Sequence, residues 1–273
     1  MPVECVRWKV ATREVARMLA IKERLRLYTD EHPAIFSLKN RLQIYAGKYP
    51  AVFFSFYWLS RRDRTRVVTP ETQLVIEGFP RSANAFAAVA FGQAQNEKVC
   101  VARSSHVPAQ VIRAARWQIP TLLLIRKPKD AILSLVIRDP VSVDQALRHY
   151  VSFYRTVEKY RSAYVLGLFE EVTEDYGEVI RRVNDKFGTT FSLFRHDEQN
   201  VDKVFARIDR NYRKRHGETY RETKISRPSA VREDVKSEVR HELEDPKRKK
   251  LLAEAEAVYD RLTSSISKPA SGK

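Results

Sequence analysis

Four short apolar runs, each followed by a stretch with helical spacing, are the feature that most restricts how this chain can fold. The runs lie at residues 74–76, 99–102, 121–125 and 164–169. Continuous apolar runs of this length are typical of strands buried on both faces, and strands that alternate with helices form parallel sheets. The sequence therefore predicts an α/β fold, with a central parallel β-sheet flanked by helices.

The apolar spacing predicts helices along most of the remaining chain. They are expected over residues 3–29 (amphipathic, with a basic face), 34–45, 85–91, 109–117, 130–137, 143–159, 176–187 and 251–262. No internal repeat and no clear linker is present, so we expect one domain over residues 1–273. It would comprise a helical N-terminal region (1–70), the core (73–190), a basic helical C-terminal region (198–262) and a disordered tail (264–273).

The chain is strongly basic, with 50 Lys and Arg against 34 Asp and Glu in 273 residues and a formal net charge of +16. This excess predicts anionic partners, which could be nucleotides, nucleic acid, acidic glycans or membrane head groups. The basic residues are spread along the chain and match no nucleic-acid-binding module. We therefore expect no specific nucleic-acid partner.

Cysteine content and hydropathy limit the remaining classes. Cys5 and Cys100 are too few for a metal cluster or a disulfide framework, so we expect no metal site. Four basic residues interrupt the apolar pattern of residues 1–20, which therefore lacks the core of a signal peptide. The longest apolar run, 51–59, is about half as long as a membrane span. We expect a cytoplasmic protein.

The segment after the first predicted strand combines a turn with a helix start. Gly78 and Pro80 end the apolar run, Arg81 follows, and residues 85–91 have strong helix propensity. The free N–H groups of a helix's first turn and the helix dipole attract phosphate, and an Arg adds a forked charge. The second Gly and the Lys of a Walker loop are missing. The segment is either an anion-binding loop or a plain strand-to-helix turn with a solvated Arg81.

Residues 79–86, Phe-Pro-Arg-Ser-Ala-Asn-Ala-Phe, resemble the 5′-phosphosulfate loop of sulfotransferases that use 3′-phosphoadenosine 5′-phosphosulfate (PAPS). The family pattern is aromatic-Pro-Lys/Arg-Ser-Gly-Thr-Thr-aromatic, from which Ala83, Asn84 and Ala85 depart. The resemblance implies that main-chain N–H groups hold the 5′-phosphate and that Arg81 stabilises charge on the sulfuryl group and the leaving phosphate. The PAPS contacts that it implies in this loop are Arg81, Ser82, Ala83, Asn84, Ala85 and Phe86.

A second segment, residues 126–134, directly follows the strand at 121–125 and is similar to the family's 3′-phosphate motif R-x-P-x-D-x-x-x-S. Arg126 at a strand end can fork onto phosphate oxygens. Asp130 is expected to cap the following helix, and Ser134 lies one turn further along it. The resemblance implies that Arg126 and Ser134 bind the 3′-phosphate of PAPS.

The segment Ser105-His106-Val107-Pro108 resembles the T-H-L-P segment of the cytosolic sulfotransferases, whose His is the catalytic base. A single His is more often structural. His106, however, lies between a predicted strand and a Pro-started helix, at the edge of the sheet where ligands bind. The ordinary pKa of His also suits removal of a hydroxyl proton near neutral pH. The family's Lys two residues earlier is Ser104 in this chain, with Arg103 one position away.

The segment 169–172 is similar to the family's Y-E-D-L segment, and the resemblance implies that Phe169 takes the place of a Tyr that contacts adenine. The family's closing segment, R-K-G-x-x-G, is not recognisable. Residues 224–229 are the best basic substitute, which makes Arg227 a further candidate contact of the 3′-phosphate. The resemblance spans about residues 73–190.

Together these segments predict a PAPS-dependent sulfotransferase with a P-loop-like sulfotransferase fold. PAPS would be the co-substrate, with His106 as general base and Arg81 as the residue that stabilises charge, and without a metal. The acceptor would be a small molecule, lipid or glycan that carries a hydroxyl or amine. The alternatives are a nucleotide kinase-like phosphotransferase, and a basic protein that binds nucleic acid or a membrane surface.

The run at 51–59 contains five aromatic residues and has basic residues on both sides. A run of this kind could dip into the interface of a bilayer, which would give a peripheral membrane contact. We favour the interpretation in which it packs against the main sheet or lines an apolar acceptor pocket.

Overall fold

A computed structural model describes residues 33–59, 66–216 and 239–264. The helix predicted over 3–29, the candidate contact Arg227 and residues 265–273 of the predicted tail lie outside the described residues. The prediction of one domain over the whole chain therefore stays a prediction.

Within the described residues, the sheet has four parallel strands in the order β2-β1-β3-β4. The strands are β1 Leu74–Gly78, β2 Val101–Arg103, β3 Thr121–Ile125 and β4 Val165–Leu168. β1 pairs with both β2 and β3, and β3 also pairs with β4. The predicted α/β fold with a central parallel sheet is confirmed, because each of the four apolar runs forms a strand.

β1 continues two residues beyond the predicted run, so Gly78 belongs to the strand and does not end it. Gly78 pairs with Leu124 of β3. A Cβ atom at Gly78 would lie 2.4 Å from the carbonyl oxygen of Leu124, closer than a side chain can approach. Because Gly78 has no side chain, the pairing of β1 with β3 can continue as far as Gly78, where the loop begins.

The described helices are α1 Pro33–Ala46, α2 Pro50–Leu59, α3 Asn84–Ala94, α4 Pro108–Arg116, α5 Pro128–Arg138, α6 Val143–Glu158, α7 Phe169–Glu174, α8 Tyr176–Phe187, α9 Glu198–His216 and α10 Lys249–Thr263. Seven of them agree with predicted segments to within a few residues at their ends, whereas α2 and α7 were not predicted as helices and α9 falls in the region predicted only as basic and helical. The expected capping role of Asp130 is wrong. α5 begins two residues earlier, with Lys127 as its N-cap, because Pro128 lacks an N–H group and suits the first helical position.

Helices cover both faces of the sheet, as parallel strands require. On one face, α3, α8 and α9 pack over Leu74 and Ile76 of β1 and Leu122 and Leu124 of β3. On the other face, α5, α6 and α10 pack over the alternate residues of β3 and β4, while α2 and α4 cover Val75 of β1. Alternate residues of each strand therefore lie in two separate apolar cores.

The direction of the chain reverses between β1 and β3. From β1 the chain passes through α3 to β2 on one side of the sheet, and from β3 it passes through α5 and α6 to β4 on the other side. Connections that diverge from adjacent parallel strands leave a crevice at their carboxyl ends, where ligands bind in open α/β sheets. The residues directly after β1 and β3 are therefore the place to look for a site.

The aromatic run forms α2, and its residues divide between the core and the surface. Phe53 and Phe54 are buried under α4, as the favoured interpretation expects. Phe56 and Leu59, on the opposite side of the helix, are 55% and 83% exposed. Packing against the main fold therefore accounts for one face of α2 only.

Candidate functional site

The loop after β1 folds into a tight turn that presents the start of α3. The amide of Asn84 donates from Nδ2 to the carbonyl of Phe79 (2.9 Å), and the N–H of Ser82 donates to the same carbonyl (3.3 Å). Arg81 and Ala83 adopt positive φ angles of 72° and 63°, in the left-handed region. The hydrogen bonds to Phe79 hold these two residues in a conformation that side chains other than Gly rarely adopt.

The first turn of α3 offers donors to an anion. Its N-cap is Ala83, whose side chain makes no capping hydrogen bond, and the helical hydrogen bond from Ala87 N reaches Ala83 O at 2.9 Å. A helix leaves the N–H groups that precede this bond, from Asn84 to Phe86, without intrahelical partners. The segment predicted to bind an anion therefore ends in a helix start whose first-turn N–H groups have no intrahelical partner.

Phe86, which is among the predicted PAPS contacts, places its side chain away from this turn. The ring is 5% exposed and packs against Tyr176, Phe194 and Phe205 in the core beneath α3. Its main-chain N–H is what Phe86 can offer a ligand.

Three residues predicted to bind PAPS come together beside this helix start. Arg81 follows β1, Arg126 follows β3, and Ser134 lies on α5. We call these three residues the phosphate cluster. Nε of Arg81 donates to the hydroxyl of Ser134 at 2.8 Å, and Nη1 of Arg126 donates to the carbonyl of Arg81 at 3.3 Å. The loops after β1 and β3 are thus joined by direct hydrogen bonds. Both guanidinium groups remain charged at any physiological pH, so the cluster is a strongly positive centre.

Phe169, at the start of α7, packs on this cluster. The guanidinium carbon of Arg126 lies 3.9 Å from the centre of the Phe169 ring, which is cation–π geometry. Nε of Arg126 is buried and has no hydrogen-bond partner among the described residues. A buried donor without a partner is costly, so Arg126 is suited to receive an anionic acceptor atom.

Two tyrosines of α6, which the sequence did not single out, fix the loops from below. The hydroxyl of Tyr154 donates to the carbonyl of Leu124 (2.8 Å) and accepts from the N–H of Phe79 (3.3 Å). The hydroxyl of Tyr150 donates to the carbonyl of Arg126 (2.7 Å). Since both side chains are buried, the loops after β1 and β3 have a rigid support.

His106 lies at the same edge of the sheet, after β2, and its geometry defines its tautomer. Nδ1 of the imidazole lies 2.8 Å from the carbonyl oxygen of Gly78. Because a carbonyl can only accept, Nδ1 carries the proton and Nε2 of the neutral ring keeps a lone pair. Burial lowers the pKa of His106 to about 4, and the charges of Arg138 and Arg81 act in the same direction. The ring is therefore neutral at pH 7, with a lone pair on Nε2, but this pKa lies well below the near-neutral value expected from the sequence and makes Nε2 a weaker base.

Glu77, which was not predicted from the sequence, positions the segment that carries His106. This fully buried carboxyl group accepts the N–H groups of Ser105 (2.7 Å) and His106 (3.0 Å). His106 itself has a positive φ of 55°, which these bonds help to hold. Burial raises the pKa of Glu77 to about 8, although the two N–H groups favour its charged form. The signal that could have revealed Glu77 is an acidic residue at the end of a buried apolar strand.

A second histidine, His149 of α6, also lies next to this segment and was not predicted. Its ring centre lies 5.0 Å from that of Phe79, and it lies close enough to His106 for the two rings to influence each other electrostatically. Burial lowers the pKa of His149 to about 3, so this ring is neutral as well. We call Glu77, His106 and His149 the base corner.

The described residues show neither a metal-ligand cluster nor a spanning helix. Within residues 33–59, 66–216 and 239–264, no three His, Cys, Asp or Glu side chains are grouped in a way that could hold a metal ion. None of the helices in that part of the chain is long and apolar enough to cross a membrane.

Comparisons with known proteins give a distant likeness in structure. No family model and no curated protein matches the sequence. Among solved structures, the mouse sulfotransferase SULT7A1 complexed with PAP is similar over 70% of this chain and 90% of that chain, with 11% sequence identity and a TM-score of 0.39. At that score the likeness is too distant to assign a residue or an activity to this chain.

Proposed function

We propose that this protein is a sulfotransferase that moves a sulfuryl group from PAPS to a hydroxyl or amine of an acceptor. The observation that carries the proposal is the hydrogen-bonded cluster of Arg81, Arg126 and Ser134 at the β1–β3 crevice. These residues come from the two segments that resemble the 5′-phosphosulfate and 3′-phosphate motifs. A ligand with phosphates at both ends of a ribose needs two anion sites this close together.

The residues of the site suit the two ends of such a nucleotide. The first-turn N–H groups of α3 and Arg81 would hold the 5′-phosphosulfate, and Arg126 with Ser134 would hold the 3′-phosphate. The buried Nε of Arg126, without a partner among the described residues, supports this assignment. Phe169 would lie beside the adenine, with one side of its ring already against Arg126. Arg227, which lies outside the described residues, stays a predicted contact.

The co-substrate supplies an activated sulfuryl group, and the chain supplies position, charge and a base. Nε2 of His106 would take the proton of the acceptor hydroxyl while the acceptor oxygen bonds to sulfur and the bond from sulfur to the 5′-phosphate oxygen breaks. Arg81 would stabilise the negative charge that develops on that oxygen. The hydrogen bond from Nδ1 to Gly78 keeps the lone pair of His106 on the nitrogen that this role requires.

The proposal is tested by comparing how two nucleotides stabilise the protein against heat. Adenosine 3′,5′-bisphosphate should raise the melting temperature, and 5′-AMP, which lacks the 3′-phosphate, should raise it far less. At about 100 times the dissociation constant, the favoured ligand adds about 2.7 kcal/mol to the free energy of unfolding. Equal responses to both nucleotides would remove the role assigned to Arg126 and Ser134.

Melting with ATP and binding of duplex DNA test the two alternative functions. A larger response to ATP with magnesium than to the bisphosphate would favour a nucleotide kinase-like phosphotransferase. Duplex DNA should bind weakly, without sequence preference and with a steep dependence on salt, because it would respond only to the net charge of +16.

A further inference from the structure

The first two helices expose apolar side chains along one side each. In α1, Leu38, Leu42 and Tyr45 follow helical spacing and are 58%, 62% and 65% exposed. In α2, Val52, Phe56 and Leu59 have the same spacing and are also exposed. Tyr49, in the connection between the helices, is also exposed. We call the exposed residues Leu38, Leu42, Tyr45, Tyr49, Val52, Phe56 and Leu59 the α1–α2 surface.

A soluble surface helix normally turns a polar face towards water. α2 does not, because Phe53 and Phe54 already bury its other side and the ten residues of this helix include no charged side chain. The exposed apolar side chains of α2 therefore lie apart from the core that Phe53 and Phe54 join. Exposed apolar side chains grouped on neighbouring helices mark a site of interaction.

The charges of the sequence segment that contains this surface indicate what kind of partner it meets. Residues 33–66 contain seven Lys or Arg and a single acidic residue, Asp63. Arg41 is exposed on α1, and Lys48 lies in the connection to α2. Aromatic and aliphatic side chains surrounded by basic residues are the composition that binds the interface of an anionic bilayer, where rings sit at head-group level.

We propose that the α1–α2 surface docks on an anionic lipid bilayer. The apolar side chains enter the interface, and the basic residues meet the negatively charged head groups. Two other occupants, a second copy of this chain and residues 1–32 of the same chain, would cover the surface without any dependence on lipid charge.

The connection between α1 and α2 also contacts the segment that carries His106. The N–H of Ala109 donates to the carbonyl of Gly47 at 2.8 Å, and a Cβ atom on Gly47 would lie 2.5 Å from the side chain of Val107. The docking surface is thus anchored beside the base corner. If the proposed function holds, on which this step rests, the acceptor is an amphiphilic alcohol or amine that resides in the membrane.

The test measures sedimentation of the full chain with vesicles of phosphatidylcholine, either alone or mixed with phosphatidylglycerol. The wild-type protein should sediment with the anionic vesicles and remain largely in solution with the neutral ones. The double variant Phe56→Ser/Leu59→Ser should lose at least about tenfold in vesicle affinity, because two apolar anchors leave the interface. Leu193→Ser is the matched control, since Leu193 is also exposed, at 45%, but lies outside the α1–α2 surface. It should bind as the wild type does.

Each contrary outcome identifies a different error. If neither vesicle type binds, the bilayer is not the partner, and if both bind equally, the negative charge of the lipid plays no part in docking. If the double variant keeps its vesicle affinity, the basic residues act without the apolar surface. If it instead changes the protein from dimer to monomer in size-exclusion chromatography, a second copy is the occupant. If deletion of residues 1–32 is what creates vesicle binding, the chain covers its own surface.

A separate readout distinguishes failure of the surface from failure of the proposed function. The double variant should keep the wild-type melting response to adenosine 3′,5′-bisphosphate, which also shows that it folds. Vesicle binding without any such response would overturn the sulfotransferase function and leave the docking surface intact. With labelled PAPS, a long-chain alcohol held in anionic vesicles should be sulfated faster than a short-chain alcohol in water. Equal rates would overturn the membrane-resident acceptor alone.

Discussion

The phosphate cluster and the base corner lie at the same edge of the sheet but treat charge in opposite ways. Arg81 and Arg126 keep their positive charges, and the Phe169 ring and the carbonyl of Arg81 contact Arg126 without neutralising it. In the base corner, burial shifts the pKa of Glu77 up to about 8 and the pKa of His106 down to about 4. Glu77 and His106 are therefore held in their neutral forms at pH 7.

This difference corresponds to the two substrates that the proposed reaction brings together. A phosphosulfate is an anion that needs fixed positive charge, whereas an alcohol is neutral and must lose its proton in a site of low polarity. The two groups of residues can therefore be changed separately.

The largest effect is expected from the base corner. His106→Ala should reduce turnover by about 10²–10⁴-fold, the usual contribution of a positioned general base, because Nε2 no longer accepts the acceptor's proton. The affinity for adenosine 3′,5′-bisphosphate should change little, since the neutral His106 ring hydrogen-bonds to the carbonyl of Gly78 and not to Arg81, Arg126 or Ser134. Labelled sulfuryl transfer and calorimetric titration measure the two quantities.

His106→Asn is the matched control for this variant. Its side-chain amide can still donate to Gly78, so the segment keeps its hydrogen bond while the base is absent. It should be as inactive as the Ala variant and more stable. With the pKa of His106 near 4, kcat/KM of the wild type should also stay flat from pH 6 to 8 with respect to this group. Near wild-type turnover in both variants would require another base.

The second prediction addresses the phosphate cluster. Arg126→Ala should weaken binding of adenosine 3′,5′-bisphosphate by about 100-fold, because hydrogen bonds to a charged group contribute about 1.5–3 kcal/mol. Binding of 5′-AMP should be nearly unchanged. Arg126→Lys keeps the charge but loses the forked donors, so it should fall between the wild type and the Ala variant. If the affinities for both nucleotides fell equally, Arg126 would serve the loop's structure and not the 3′-phosphate.

The phosphate cluster could be predicted from sequence because its main-chain geometry is local. A strand end, a turn and a helix start determine where Arg81 and the first N–H groups of α3 lie, and the same holds for Arg126 and Ser134 around α5. Each of the four apolar runs became a strand for a similar reason, since a continuous apolar run is buried on both faces.

The base corner could be predicted only in part, because its other members depend on long-range packing. His149 reaches His106 only because α6 packs across the ends of β1 and β3. Glu77 gains its role only when the segment after β2 folds back on the end of β1. For the same reason, nothing in the sequence indicates that Phe53 is buried and Phe56 exposed, because the side of α2 that meets α4 is set by the tertiary structure.

The third prediction tests whether burial governs Glu77. A carboxyl group whose pKa is near 8 in the folded protein and near 4.3 in the unfolded chain binds an extra proton on folding between those values. Stability therefore falls as pH rises through this window, by up to about 1.4 kcal/mol per pH unit. Glu77→Gln removes this slope. Urea unfolding at pH 5.5 and pH 7.5 measures the free energy of unfolding of both proteins. The stability of the variant relative to the wild type should be higher at pH 7.5 than at pH 5.5. If this relative stability is the same at both pH values, Glu77 is ionised in the folded protein.

The smallest effect is expected in the turn that presents the phosphate loop. Ala83 has a φ of 63°, a conformation that costs a residue with a Cβ atom roughly 1–2 kcal/mol and costs Gly almost nothing. Ala83→Gly removes that cost but makes the unfolded chain more flexible, which lowers the free energy of unfolding by about 0.4–1 kcal/mol. The free energy of unfolding should therefore rise by up to about 1 kcal/mol, with nucleotide affinity unchanged. Ala83→Val should instead destabilise the protein and weaken nucleotide binding, because a β-branched side chain resists this conformation. Loss of stability in the Gly variant would show that Ala83 does not hold the left-handed turn on which the direction of the α3 N–H groups depends.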